Sequence, residues 1–319
     1  MKLNQQVMQD AMMQIRPATL DDTQAICALM RTRIRRWQRW CDDGRVEDVP
    51  YQELTLYERW LHGGAWMSTE TGAIWLSHLA RGAGTALVLV DDENTIMGYT
   101  EAYQGQELAP LGKHVYVHEI VTQDDIARDF LMQYWIDQRQ EAKRITVSFA
   151  NYDNEQHAYY ERYGFKPLLT LYSIQVSAQQ GQGFYRTSEH PNADPAQIKE
   201  LVMPIGCTTS ARHQWEMQWP SHWDALPQIK AQKTHRLLFS AAAQDAYVLY
   251  QQHLYDPRGA TVYCWSHKGV SSQLLVAIKD WAHREGYRTL YLTGDEKLAK
   301  LAADDDIGSP QTAIYARDA

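Results

Sequence analysis

The sequence is poor in cysteine and in positive charge, and it has no long apolar run. Its four cysteines, Cys27, Cys41, Cys207 and Cys264, are far apart and form no Cys-x-x-Cys pair, so neither a disulfide framework nor a zinc knot is expected. The formal net charge of -8 argues against non-specific nucleic-acid binding, because neutralising phosphates needs a basic surface. No apolar stretch reaches the roughly 18–20 residues of a membrane span. The opening segment, Met1 to Asp10, lacks the apolar centre of a secretory leader. These absences lead us to expect no nucleic-acid partner, no membrane and a cytoplasmic location. There is no P-loop, no dinucleotide fingerprint, no Gly-x-Ser-x-Gly and no His-Glu-x-x-His, and no metal is expected. Tryptophan (11) and tyrosine (19) are plentiful, which suits either aromatic-lined surfaces or bulky cores.

At 319 residues the chain has room for two domains. A short polar segment, Ser177 to Gly183, separates two halves with one plan. The first half opens with a strand at Met13 to Ala18 and a helix carrying Ala25, Ile26, Leu29 and Met30. The second opens at Phe184 to Thr187, with Ile198, Leu201 and Val202 at helical spacing. Hairpins follow, Thr85–Val90 with Ile96–Ala102 and Arg236–Ser240 with Ala246–Tyr250. Each half then has a strand (His114–Val121; Ala260–Trp265), a helix with one apolar face (Phe130, Leu131, Tyr134, Trp135; Leu274, Leu275, Ile278, Trp281) and another strand (Arg144–Phe149; Thr289–Leu292). We expect an α/β chain with mixed sheets and domains at 1-180 and 181-319. Tyr51 to Ala80 is extra to the plan, and its Trp60, Trp66 and Trp75 suggest one or two packed helices. Arg31 to Arg39 reads as a basic helix that could recruit an acidic acceptor or present a solvated face.

The block Asn154-Glu-Gln-His-Ala-Tyr-Tyr-Glu-Arg-Tyr-Gly-Phe165 has the form of a capped helix that turns on Gly164 into a strand. With the repeated element order, it resembles the closing block of the GNAT acyltransferases, here twice in tandem. The resemblance implies acetyl-CoA as acyl donor, a small-molecule amine as acceptor, and a sheet that splays at mid-length to receive the pantetheine arm. It also implies Tyr160 as the acid that protonates the leaving thiolate. The family's pyrophosphate loop is Arg/Gln-x-x-Gly-x-Gly/Ala. Ser266-His-Lys-Gly-Val-Ser271 matches it in part, so Cys264, Trp265, Lys268, Gly269, Val270, Ser271 and Ser272 are the expected cofactor-binding residues. In the first half the matching run, Val121 to Asp129, has no glycine and three aspartates, which would repel a pyrophosphate.

An amine nucleophile must lose a proton, and Glu119, with Glu101 on the preceding strand, is placed to take it. His118 alternates with Glu119, so one of the two should face a pocket. The sequence leaves open a non-catalytic, degenerate GNAT-like protein that binds a ligand or partner, and it allows a homodimer.

Overall fold

The computed structural model describes residues 13–41, 43–138, 142–230, 233–253, 256–302 and 309–318. The opening segment read above for a leader lies outside them. In chain order the first half has β1 (Gln14–Pro17), α1 (Thr23–Arg31), β2 (Gln38–Trp40), β3 (Val46–Asp48), α2 (Leu56–Leu61), α3 (Thr69–His78), β4 (Thr85–Val90), β5 (Ile96–Gln106), β6 (Lys113–Thr122), α4 (Asp125–Asp137), β7 (Arg144–Ala150), α5 (Asn154–Arg162) and β8 (Lys166–Ser177). The second has β9 (Tyr185–Glu189), β10 (Val202–Ile205), α6 (Ala211–Gln218), β11 (Thr234–Ala241), β12 (Gln244–Gln252), β13 (Gly259–Ser266), α7 (Ser272–Arg284), β14 (Thr289–Gly294), α8 (Glu296–Ala302) and β15 (Pro310–Asp318). The order the sequence suggested, strand, helix, hairpin, strand, helix, strand, recurs, and a further helix and strand close each half.

Two compact units form, and they cut across the halves. One is Met1–Ala102, Val117–Gln140 and His222–Ile229; the other is Tyr103–Tyr116, Glu141–Ser221 and Lys230–Ala319. In the first unit the strand order is β1-β4-β5-β6, with β1 antiparallel to β4 and β4 to β5. α1 buries Ile26, Leu29 and Met30 as its spacing predicted, but Ala25 is exposed and Cys27 takes its place on the buried face. α3 comes very close to α1 at Gly72, where a Cβ would stand 2.7 Å from the Cys27 sulfur. The basic stretch is not one helix: α1 ends at Arg31, and Gln38–Trp40 pairs with Val46–Asp48. Three of its five guanidinium groups are engaged separately, Arg31 over the Tyr51 ring, Arg33 on Glu119 and Arg39 on Glu58. Separate partners for these three relieve part of the repulsion within the block.

The second unit has the order β6-β7-β15-β8-β14-β13-β12-β11-β9, with β10 added against β13. β15, the last strand of the second half, lies between β7 and β8 of the first and is antiparallel to both. β8, the last strand of the first half, lies between β15 and β14. The halves have therefore exchanged their closing strands. His157 fixes this arrangement: its Nε2 donates to Asn151 O (2.9 Å), so its Nδ1 accepts from the Tyr315 hydroxyl (2.8 Å). Arg317 adds a bond to Tyr163 O (2.7 Å).

α5 starts on the Asp153 carboxylate, which accepts from Gln156 N. It ends in a Schellman turn: Phe165 N donates to Tyr160 O, Gly164 N to Glu161 O, and Gly164 has φ +79°. The tryptophans go mainly to cores. Trp215 stacks on Trp219 at 4.3 Å, and both meet the edge of Trp265.

Candidate functional site

The first unit gathers acid and base groups on β5 and β6. Glu101 is fully buried, and its Oε2 accepts from the Tyr99 hydroxyl (2.7 Å) and the Trp75 indole N–H (3.2 Å). Its Oε1 lies 3.6 Å from His118 Nε2. The same imidazole nitrogen is 3.9 Å from Glu119 Oε1, and the other Glu119 oxygen takes the Arg33 guanidinium. Strict alternation would have set His118 and Glu119 on opposite faces. Instead both acids reach one nitrogen, and Thr100 Oγ1, which donates to Glu119 O (2.7 Å), helps hold that stretch. The Trp135 indole N–H in turn donates to Thr100 Oγ1 (2.8 Å).

Burial pushes the Glu101 carboxyl up, while His118 and the hydrogen bonds from Tyr99 and Trp75 pull it down. An acid held this way can stabilise charge on a neighbouring imidazole, because an unpaired carboxylate in such a place is costly. Sequence reading had weighed Glu101 and His118 separately. The missing signal was Trp75, an α3 side chain from the extra segment, whose N–H anchors the acid.

In the second unit β13 and β14 run parallel and pair at Gly259–Thr261 with Thr289–Tyr291, after which no further pairing between them is present among the described residues. This fork is where the family resemblance puts a pantetheine arm. The fork is filled: β10 pairs antiparallel with β13, Val202 against Ser266 and Ile205 against Cys264. Gly206 N then donates to Thr293 O of β14 (2.7 Å), and a Cβ on Gly294 would come within 2.8 Å of Pro204 O. Ile198, Leu201 and Val202 do not lie on one helix as their spacing suggested. A 3₁₀ turn ends at Ile198, Glu200 takes φ +66°, and Val202 begins a strand. Pro204 suits an inserted edge strand and not a helix interior.

The expected cofactor residues divide accordingly. Cys264 and Trp265 are wholly buried, and the Trp265 indole donates to Ala211 O (3.0 Å). Lys268, Gly269 and Ser272 are exposed, and Val270 and Ser271 partly so. Gly269 O accepts from Gln244 Nε2, and Ser271 caps α7 through Leu274 N. In the first half, Asp124 caps α4 by accepting from Ala127 N (2.8 Å), which puts a carboxylate where an anion would otherwise sit. Tyr160 is nearly buried in the second unit, its ring stacked on Phe149 at 5.3 Å and edge-on to Phe165.

No family model matches the sequence. No curated protein matches it either. Solved structures do. One is a proposed acetyltransferase from Pyrococcus horikoshii, 10% identical, covering 96% of this chain and 89% of its own, with a TM-score of 0.51. Another, from Enterococcus faecalis V583, is a conserved protein of unknown function proposed as an N-acyltransferase; it is 10% identical, covers 96% of this chain and 72% of its own, and has a TM-score of 0.53. The fold is that of the GNAT acyltransferases, with two such modules in tandem in one chain. Among the described residues no helix is long and apolar enough to cross a membrane.

Proposed function

We propose that the protein is an N-acyltransferase that moves an acyl group, acetyl in the simplest case, from a coenzyme A thioester to a small-molecule amine. The observation that carries this reading is the convergence of Glu101 and Glu119 on His118 Nε2, on two strands of a GNAT module. We assign the base to His118 and not to Glu119, because Glu119 is already engaged by the Arg33 guanidinium. His118 takes the proton as the amine nitrogen bonds to the thioester carbonyl carbon. The buried Glu101 and the paired Glu119 then stabilise the imidazolium. The C–S bond breaks as the tetrahedral adduct collapses, and the thiolate leaves to take a proton from water.

We place the donor in the first module, since β10 occupies the fork of the second. Lys268–Ser272 then flanks a slot that is already filled. A binding-only protein is the second reading, favoured by two occupied positions: β10 in one fork and the Asp124 carboxylate at the other helix start. Thiol release from acetyl-CoA across an amine panel separates the two. Steady turnover with at least one amine is expected, and none above the uncatalysed rate would leave the binding-only reading.

A further inference from the structure

β10 is held at both ends by two consecutive residues, Gln106, the last of β5, and Glu107 just after it. Before it, Glu200 N donates to Gln106 O (2.9 Å), and Gln106 Nε2 donates to Glu200 Oε1 (3.0 Å). After it, five residues lead to α6, whose first N–H, that of Ala211, donates to Glu107 Oε1 (3.0 Å). Gln106 and Glu107 thus grip the strand that fills the β13–β14 fork.

The Glu107 grip has an unusual neighbour. His114 Nδ1 lies 2.9 Å from Gly112 O, a carbonyl that can only accept, so Nδ1 carries the hydrogen and Nε2 of the neutral ring presents a lone pair. That lone pair faces Glu107 Oε1 at 3.6 Å. Both side chains are almost wholly buried, at 0% and 3% exposure, and Glu107 Oε2 and His114 Nε2 have no hydrogen-bond partner. Two acceptors facing each other away from water are repulsive unless a proton lies between them. The surroundings supply little countercharge. Arg144 of β7 acts on His114 but is bridged to Asp318 (2.7 Å), Glu200 is held by Gln106, and Cys207 and His213 flank the start of α6. Asp295, before α8, is sensed at Cys207.

We propose that Glu107 and His114 hold one proton between them and act as a proton-operated latch on β10, keeping the fork of the second module closed while that proton is bound. This holds whether or not the first module turns over substrate. Burial holds the Glu107 carboxyl up at about 8 from an ordinary 4.5, and burial holds His114 down at about 4 from 6.5. Because the Glu107 value is raised when latched, its contribution to closure is full below 4.5 and is lost as pH rises to about 8. Because the His114 value is lowered, its contribution is full above 6.5 and is lost as pH falls to about 4. Between 4.5 and 6.5 the two oppose each other. From 6.5 to 8 the Glu107 effect dominates, and opening should increase about tenfold.

Hydrogen exchange of residues 200–212, corrected for intrinsic rates, reads this directly. The expected result is about a tenfold rise in opening between pH 6.5 and 8 in the wild type, with residues 272–284 unchanged and no such rise in Glu107→Gln. A wild-type segment that stays flat, or a Glu107→Gln chain that rises like the wild type, overturns the latch. If Glu107→Gln does not fold, the wild-type contrast between residues 200–212 and 272–284 still decides.

Discussion

His118→Ala is expected to lower kcat/KM for thiol release by about 10²- to 10⁴-fold, the usual range for a general base. The imidazole is partly exposed, at 23%, whereas Glu101 beneath it is at 1%, so the substitution removes a reachable base and leaves the buried acid without the ring it faces. Because β5 and β6 carry these residues within the sheet, the fold should survive, and circular dichroism should match the wild type. Glu101→Gln offers a finer check. It keeps the shape and the acceptor oxygen but cannot stabilise an imidazolium by charge. It should lower kcat more than it raises KM. Activity of His118→Ala within about threefold of wild type would remove His118 from the chemistry.

Deleting residues 310–319 is expected to abolish cooperative folding of the second unit. β15 is an interior strand, paired along one edge with β7 and along the other with β8. It buries Ala313, Ile314, Tyr315 and Ala316. Ile314 and Tyr315 alone represent about 1.5–3 kcal/mol each of apolar burial, against a typical total stability of about 5–15 kcal/mol. The deletion also strips hydrogen bonds from two strands at once and leaves open edges that invite aggregation. A truncated chain that melts cooperatively within a few degrees of the full chain would contradict the strand exchange.

Much of the fold was legible because local signals and the global plan agreed. Asp153, Gly164 and Phe165 specify the start and end of α5, and the turn forms as those residue types dictate. Helical spacing found the buried faces of α1 and α7. The strand exchange was invisible, since β8 and β15 read alike whether each closes its own module or the other. β10 was misread because Ile198, Leu201 and Val202 mimic a helical stripe; Pro204 was the contrary signal. Glu101 and Glu119 were visible as acids on neighbouring strands. Their meeting at one nitrogen of His118 was not, because it depends on local geometry that strict alternation hides.

The most direct test of the account is calorimetric titration of acetyl-CoA into the wild type and Gly269→Asp at pH 6.5. Gly269 has open space around it, so the substitution should not disturb the fold. The account predicts one site per chain, with the same affinity in both proteins, because the donor belongs to the first module while β10 fills the second. Two sites in the wild type, binding lost in Gly269→Asp, or no binding in either protein would contradict it.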